Sequence, residues 1–348
     1  LEEICMEVHF LPQAHLSQFL QVLADHARVV VPVKVGKGQY KFRDLNEVST
    51  EEVALEYLRT MVPPKKYFFP PEEVLYRYST ETGYEEPVLE DEPPILFGLH
   101  PCDLHGIRVT DTFFGDRYQD RHYLRRREQS RIIGLGCMPD EKCFCQSNRT
   151  DHIEDIYDLF LWEVEEGYLT LVRTPAGHEM LHWQRDLFSF ASREHINQHQ
   201  AYLERRREAF TRQMPTSDLP DLLRFEQDSP AWKDLGNSCF ACGACSMVCP
   251  TCTCFNVYDK TDLSGESGER VRRWDSCLFR DFTRIAGEEH TRPERSDRVS
   301  NRYYHKEQGF VEQFGMPSCV GCGRCIDSCI AKIDITQVFA KVRSSCGR

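Results

Sequence analysis

The strongest constraint on this chain is a spacing that occurs twice: Cys239-Phe-Ala-Cys242-Gly-Ala-Cys245-Ser-Met-Val-Cys249 and Cys319-Val-Gly-Cys322-Gly-Arg-Cys325-Ile-Asp-Ser-Cys329. Each reads C-x2-C-x2-C-x3-C, the ligand run of bacterial-type iron-sulfur proteins. Three thiolates at the short spacings wrap one cubane, while the fourth, held off by three residues, is better placed to reach a neighbouring cluster. Two runs therefore predict two 4Fe-4S clusters with exchanged fourth ligands. Cys239, Cys242, Cys245 and Cys329 are expected on one, and Cys319, Cys322, Cys325 and Cys249 on the other. Structural zinc and a disulfide framework also use paired cysteines, but neither requires the complete spacing twice.

The rest of the chain is much larger than a bare ferredoxin. Its 348 residues leave room for two or three domains, each with its own core. Hydrophobic content of 41% and charged content of 28% are those of a water-soluble globular protein, and no apolar run reaches the length of a membrane span. The opening residues, Leu1-Glu-Glu-Ile-Cys5, lack the basic region and apolar core of a secretory leader. Most of the seventeen cysteines fall into metal-ligand spacing, which implies a reducing, cytoplasmic setting. The formal charge of −12 grows more negative once thiolates bind metal, which argues against nucleic acid as a partner.

Periodicity places an α/β segment ahead of the cysteine runs. Residues 14–27 repeat apolar side chains at helical spacing, residues 28–35 form a β-branched strand, and Gly36-Lys-Gly38 suits a hairpin turn. A helix is expected over residues 51–60, stopped by Pro63-Pro64. The aromatics between Pro63 and Pro71 are expected to be irregular cover for a core edge. Residues 158–174 alternate on both sides of Glu165-Glu166-Gly167 and predict a hairpin. From residue 179 to 235 the pattern is helical and charged. The expected division is thus an α/β domain over 1–178, a charged helical connector over 179–235, and a dicluster domain over 236–348. The long insert between the runs suggests helical material, hence an all-helical ferredoxin-like module.

Two short apolar strands, Ile95–Leu99 and Ile132–Leu135, run into Cys102 and Cys137 at their carboxyl ends, where open α/β sheets place ligand sites. Cys143-Phe-Cys145 follows closely. Cys102, Cys137, Cys143 and Cys145 are therefore candidates for a third four-thiolate site; the alternative is a set of buried apolar thiols. His100 and His105 flank Cys102 and read as packing or capping residues. Cys252, Cys254 and Cys277 stand outside the complete runs, as core thiols, hydrogen-bonding partners of cluster sulfurs, or replacement ligands. Neither GxGxxG after a strand nor GxxxxGK[ST] occurs, so the chain is not expected to bind NAD(P) or flavin itself. No catalytic residue is indicated.

Pro63-Pro-Lys-Lys-Tyr-Phe-Phe-Pro70, Phe97-Gly-Leu-His-Pro-Cys-Asp-Leu-His-Gly106, Gly136-Cys-Met-Pro-Asp-Glu-Lys-Cys-Phe-Cys145, Cys249-Pro-Thr-Cys-Thr-Cys254 and Arg272-Arg-Trp-Asp-Ser-Cys277 together give a further expectation. With these motifs the chain resembles the beta subunits of soluble NAD(P)-linked nickel-iron hydrogenases, also called sulfhydrogenases, over nearly its whole length. One component of anaerobic sulfite reductase is a relative with the same cysteine layout. The resemblance implies a non-catalytic electron-transfer subunit, partnered by nickel-iron large and small subunits and by an FAD- and NAD(P)-binding iron-sulfur flavoprotein. It also implies a third 4Fe-4S cluster, since the family pattern has cysteines matching Cys102, Cys137, Cys143 and Cys145. Ile330 stands where the family usually has proline after the last cysteine, and Ala286-Gly-Glu-Glu289 departs from an expected glycine pair. Transfer to a sulfite-reducing partner, or clusters that only fold an interaction module, are the competing functions.

Overall fold

The computed structural model describes residues 7–87 and 93–345, so the opening Leu1–Cys5 stretch lies outside the described residues. The main sheet has eight strands: β1 (Glu7–Pro12), β2 (Val29–Gly36), β3 (Gln39–Asp44), β6 (Ile95–Leu99), β7 (Arg131–Leu135), β8 (Leu159–Val164), β9 (Gly167–Val172) and β10 (Ser189–Phe190). They lie in the order β10-β1-β9-β8-β7-β6-β2-β3. The central strands β2, β6, β7 and β8 run parallel, and the pairings outside them are antiparallel. β6 is buried along its whole length, which explains its unbroken apolar sequence: both faces are covered.

Alternate side chains feed two cores. One face sends Val29, Val31, Ile95, Phe97, Ile133 and Leu159 against α1 (Leu16–His26) and α4 (Pro175–His182). The other sends Val30, Leu96, Leu99, Ile132 and Phe160 against α2 (Pro101–Gly115), α3 (Arg121–Gln129) and α5 (Arg193–Glu208). Phe68 and Phe69 are fully buried in this second core, as expected of the proline-flanked aromatics, although residues Pro64–Tyr67 form a short 3-10 turn. The expected strands and hairpins of this region are present.

Two expectations fail. The helix over residues 51–60 is only a single 3-10 turn, Thr50–Glu52. The chain after it lies along β2, with a Val33–Val53 bridge and Ala54 N–H donating to the Pro32 carbonyl at 2.8 Å. The segment between the cysteine runs is also not all helix. It opens with a β-hairpin, β11 (Phe255–Thr261) and β12 (Ser267–Trp274), which pairs with β4 (Glu72–Ser79) and β5 (Gly83–Glu85) in a second sheet, β11-β12-β4-β5. This sheet draws strands from both sides of the expected division at residues 178 and 235.

Helices complete the cysteine-rich part: α6 (Leu219–Phe225), α7 (Pro230–Ser238), α8 (Ala244–Met247), α9 (Arg295–Tyr304), α10 (Phe310–Phe314), α11 (Arg324–Asp327) and α12 (Ile335–Ser345). A π-helical turn over His305–Gly309 joins α9 to α10. Leu219, Leu223, Trp232, Val299, Tyr303, Phe339 and Val342 pack a third core around Cys239 and Cys277. Among the described residues no helix is long and apolar enough to cross a membrane.

Candidate iron-sulfur centres

The two cysteine runs fold alike. Each passes through two left-handed residues, Ala241 and Gly243 in the first and Gly321 and Gly323 in the second, and then makes one helical turn, α8 or α11. Gly243 and Gly323 share φ 75° and ψ −7°. Alternation of left- and right-handed backbone turns successive N–H groups toward a common concavity, the local form that suits an anionic ligand.

Around these turns lie two cavities. The first is lined by Cys239, Cys242, Cys245 and Cys329, with Cys325 and apolar walls from Leu278, Val299 and Ile333. The second is lined by Cys249, Cys319, Cys322 and Cys325. Each cavity thus gathers the first three cysteines of one run and the last cysteine of the other, with Cys325 on the border of both. Ala241 N–H donates to Cys239 Sγ and Ile333 N–H to Cys329 Sγ, both at 3.3 Å. Arg302 borders both cavities, and Lys306 and Arg324 border the second; all three side chains are buried. Soft thiolate donors and buried cations to offset negative charge fit an iron-sulfur cluster in each, and at the first cavity two N–H groups are also aimed at sulfur. Among the described residues no three Cys, His, Asp or Glu side chains converge closely enough for one bare ion.

The N-terminal candidates assemble against the second run. α2 starts directly after β6 and carries Cys102 in its first turn, while Cys137 follows the end of β7. Cys102, Cys143 and Cys145 pack with Phe210, Val320 and Cys322 in one buried cluster. Cys137 lies within electrostatic reach of Cys145. Burial works against ionising Cys137, but the His100 imidazole and the Arg206 guanidinium more than offset it and bring the thiol down to about 7. Cys143 is pushed up by burial to about 12, although Arg59 Nη2 donates to its sulfur at 3.3 Å. His100 has a packing role: its two ring nitrogens face the Leu135 and Tyr57 carbonyls at 2.9 and 2.8 Å. His105 bonds the His152 carbonyl.

Backbone contacts fasten this site to the second run. Phe144 N–H donates to the Gly321 carbonyl at 2.9 Å, Asn148 Nδ2 to the Cys319 carbonyl at 2.7 Å, and Thr150 Oγ1 to the Val320 carbonyl at 2.7 Å. Arg324 Nη1 pairs with Asp103 Oδ1 at 2.8 Å, both side chains buried, and its Nε donates to the Thr60 carbonyl at 3.2 Å.

Sequence reasoning missed the buried cations Lys65, Arg302, Lys306 and Arg324. The one available signal was Lys65 inside an apolar, proline-bounded stretch; the others sit among many exposed charges and do not stand out.

Comparison with known proteins agrees with this arrangement. Residues 238–333 match the family described as 4Fe-4S dicluster domain. Over 333 residues the chain is 36% identical to the sulfhydrogenase 2 subunit beta of Pyrococcus furiosus, covering 96% of this chain and 97% of that protein. At that identity over nearly both full lengths, and with both dicluster cavities in place, the chain belongs to the sulfhydrogenase beta-subunit family.

Proposed function

We propose that this chain is the electron-transfer subunit of a hydrogenase complex, carrying single electrons between a nickel-iron module and an NAD(P)-reducing flavoprotein subunit in the cytoplasm. The single observation that carries this proposal is the gathering of the eight run cysteines around two cavities that share Cys325, each reached by the last cysteine of the other run. The relative's name, sulfhydrogenase, favours a hydrogenase complex over a sulfite-reducing one.

The residue assignments follow from the lining. Cys239, Cys242, Cys245 and Cys329 would hold one 4Fe-4S cluster, and Cys249, Cys319, Cys322 and Cys325 the other. Cys102, Cys137, Cys143 and Cys145 would hold a third. Clusters supply reversible one-electron storage, with potentials set by charge, hydrogen bonds to sulfur and exposure. The protein's share is placement and tuning. Apolar walls from Leu278, Val299 and Ile333 restrict water at the first cavity, and the Ala241 and Ile333 amides hold sulfur in place and favour its negative charge. Arg302, Lys306 and Arg324 place buried positive charge beside the thiolates, which favours the reduced, more negative state.

Cys322→Ser tests the assignment in the intact complex. Expected are loss of one cluster's spin-resonance signal and of hydrogen-dependent NAD(P) reduction, with the nickel subunit still reducing an artificial dye at its normal rate. Full coupling in this variant would remove the basis for the proposal.

A further inference from the structure

Between the second cavity and the N-terminal cysteines lies an ion pair shut away from water. Asp103 directly follows Cys102 in the first turn of α2, and Arg324, in α11 between Cys322 and Cys325, lines the second cavity. The two residues are 1% and 2% exposed. Arg324 Nη2 donates to Asp103 Oδ2 at 3.2 Å, whereas Nη1 and Oδ1 meet at 2.8 Å without the alignment of a hydrogen bond. Charge therefore holds the pair more than directed bonding does.

The surroundings fix where each charge stands. Arg324 Nε donates to the Thr60 carbonyl, while the preceding residue, Arg59, donates to Cys143 Sγ at 3.3 Å. One strip of chain thus touches both cysteine sets. α2 is pressed onto the same seam: a Cβ at Gly106, one turn beyond Cys102, would stand 2.8 Å from the Pro250 side chain, and Pro250 lines the second cavity. Cys102 and Cys322 pack in one buried cluster. The carboxylate comes from the N-terminal side and the guanidinium from the side of the second run, so the pair is a fixed dipole with its positive end at the second cavity.

A buried pair of this kind is a weak source of stability, because desolvating both charges offsets most of their attraction. It is a strong source of local potential, since little water is present to screen it. Cluster potentials respond to such charges. We infer that Asp103 and Arg324 are positioning residues for electron transfer, whose ion pair sets the step in potential between the second and N-terminal centres and holds the electron on the second. The guanidinium favours added negative charge at the second cavity, and the carboxylate opposes it beside Cys102.

The inference rests on the N-terminal cysteines holding a cluster, and the two can fail separately. Redox titration of the intact complex, followed by spin resonance, reads the potential of each centre, with signals assigned by their loss in Cys322→Ser and in Cys143→Ser/Cys145→Ser. Asp103→Asn is expected to raise both potentials, the N-terminal one more, and Arg324→Gln to lower both, the second one more. Each change lowers the second potential relative to the N-terminal one. Asp103→Leu/Arg324→Met does so furthest, shifting the partition of one electron between the two centres by about tenfold, or about 59 mV. Unchanged relative potentials with all signals present overturn the inference and leave the pair a structural tie. Where a single variant loses a signal, the apolar double decides, because it leaves no unpaired buried charge; loss of a signal there too marks the pair as structural and overturns the inference. A wild-type complex without an N-terminal signal strikes the cluster assignment itself, and the inference with it.

Discussion

At the scale of single residues, Gly321 brings the second run hard against the backbone of Cys145. Gly321 has φ +62°, and a Cβ placed there would stand 2.5 Å from the Cys145 backbone nitrogen. Two costs coincide in any substitution: the left-handed backbone, and an overlap with main chain that no rotamer can relieve. Ala241, at the matching position of the first run, carries its Cβ at φ +53°, so left-handed geometry alone is tolerated there. The clash is what differs. Gly321→Ala is therefore expected to destabilise the chain by about 2–4 kcal/mol and to weaken cluster retention at Cys143 and Cys145. Thermal unfolding and iron content relative to wild type measure both, and the reverse change in the first run, Ala241→Gly, should leave both nearly unaltered.

The element that joins the two parts of the chain is the β11–β12 hairpin, and Arg272 anchors it. Arg272 is buried beneath β4, where its Nε donates to Glu73 Oε1 at 2.8 Å and its other end pairs with Asp120. Phe69, Phe114 and Phe255 surround the guanidinium at 5.1–5.6 Å. Removing the cation leaves Asp120 without its arginine and Glu73 held by Arg126 alone, through its other oxygen at 2.6 Å, so Arg272→Ala is expected to cost about 3 kcal/mol. Arg272→Lys should recover only part of this, since an ammonium cannot span both acids as a planar fork does. Chemical denaturation of the three proteins orders them. The strands themselves were hidden in the sequence for a physical reason. β11 has no buried residue, and β12 buries only Val271 and Arg272, so the two-residue hydrophobic alternation that marks a half-buried strand never develops. β6 and β7 were legible because both their faces are covered. The helix read over residues 51–60 failed because local pattern carried no information about β2, whose Pro32 carbonyl and Val33 bridge capture that backbone in extended form. The cysteine pattern was legible because ligand spacing is local in sequence. The exchange of Cys249 and Cys329 between cavities could be argued in advance for the same reason, whereas the cations arrive from residues 65, 302, 306 and 324.

Across the whole molecule, the three four-cysteine sets form a sequence in space. The first cavity faces outward, with Cys242 exposed and Phe240 and Ile330 each 65% exposed at its lip. The second shares Cys325 and Arg302 with the first, and Cys322 packs against Cys102, Cys143 and Cys145. The second set thus lies between the other two. Such an order has a consequence that cluster counting alone does not test. If the N-terminal set stands in line, its loss breaks the path while leaving both dicluster cavities intact; if it stands aside, transfer survives. Cys143→Ser/Cys145→Ser removes two of its four thiols without touching a run cysteine. In the intact complex this variant is expected to keep the spin-resonance signals assigned to the two runs and the dye-linked activity of the nickel subunit, and to lose hydrogen-dependent NAD(P) reduction by at least tenfold, equivalent to about 1.4 kcal/mol. Wild-type coupling with the N-terminal signal absent would place that set off the path and leave the two dicluster centres as the whole of the conductor.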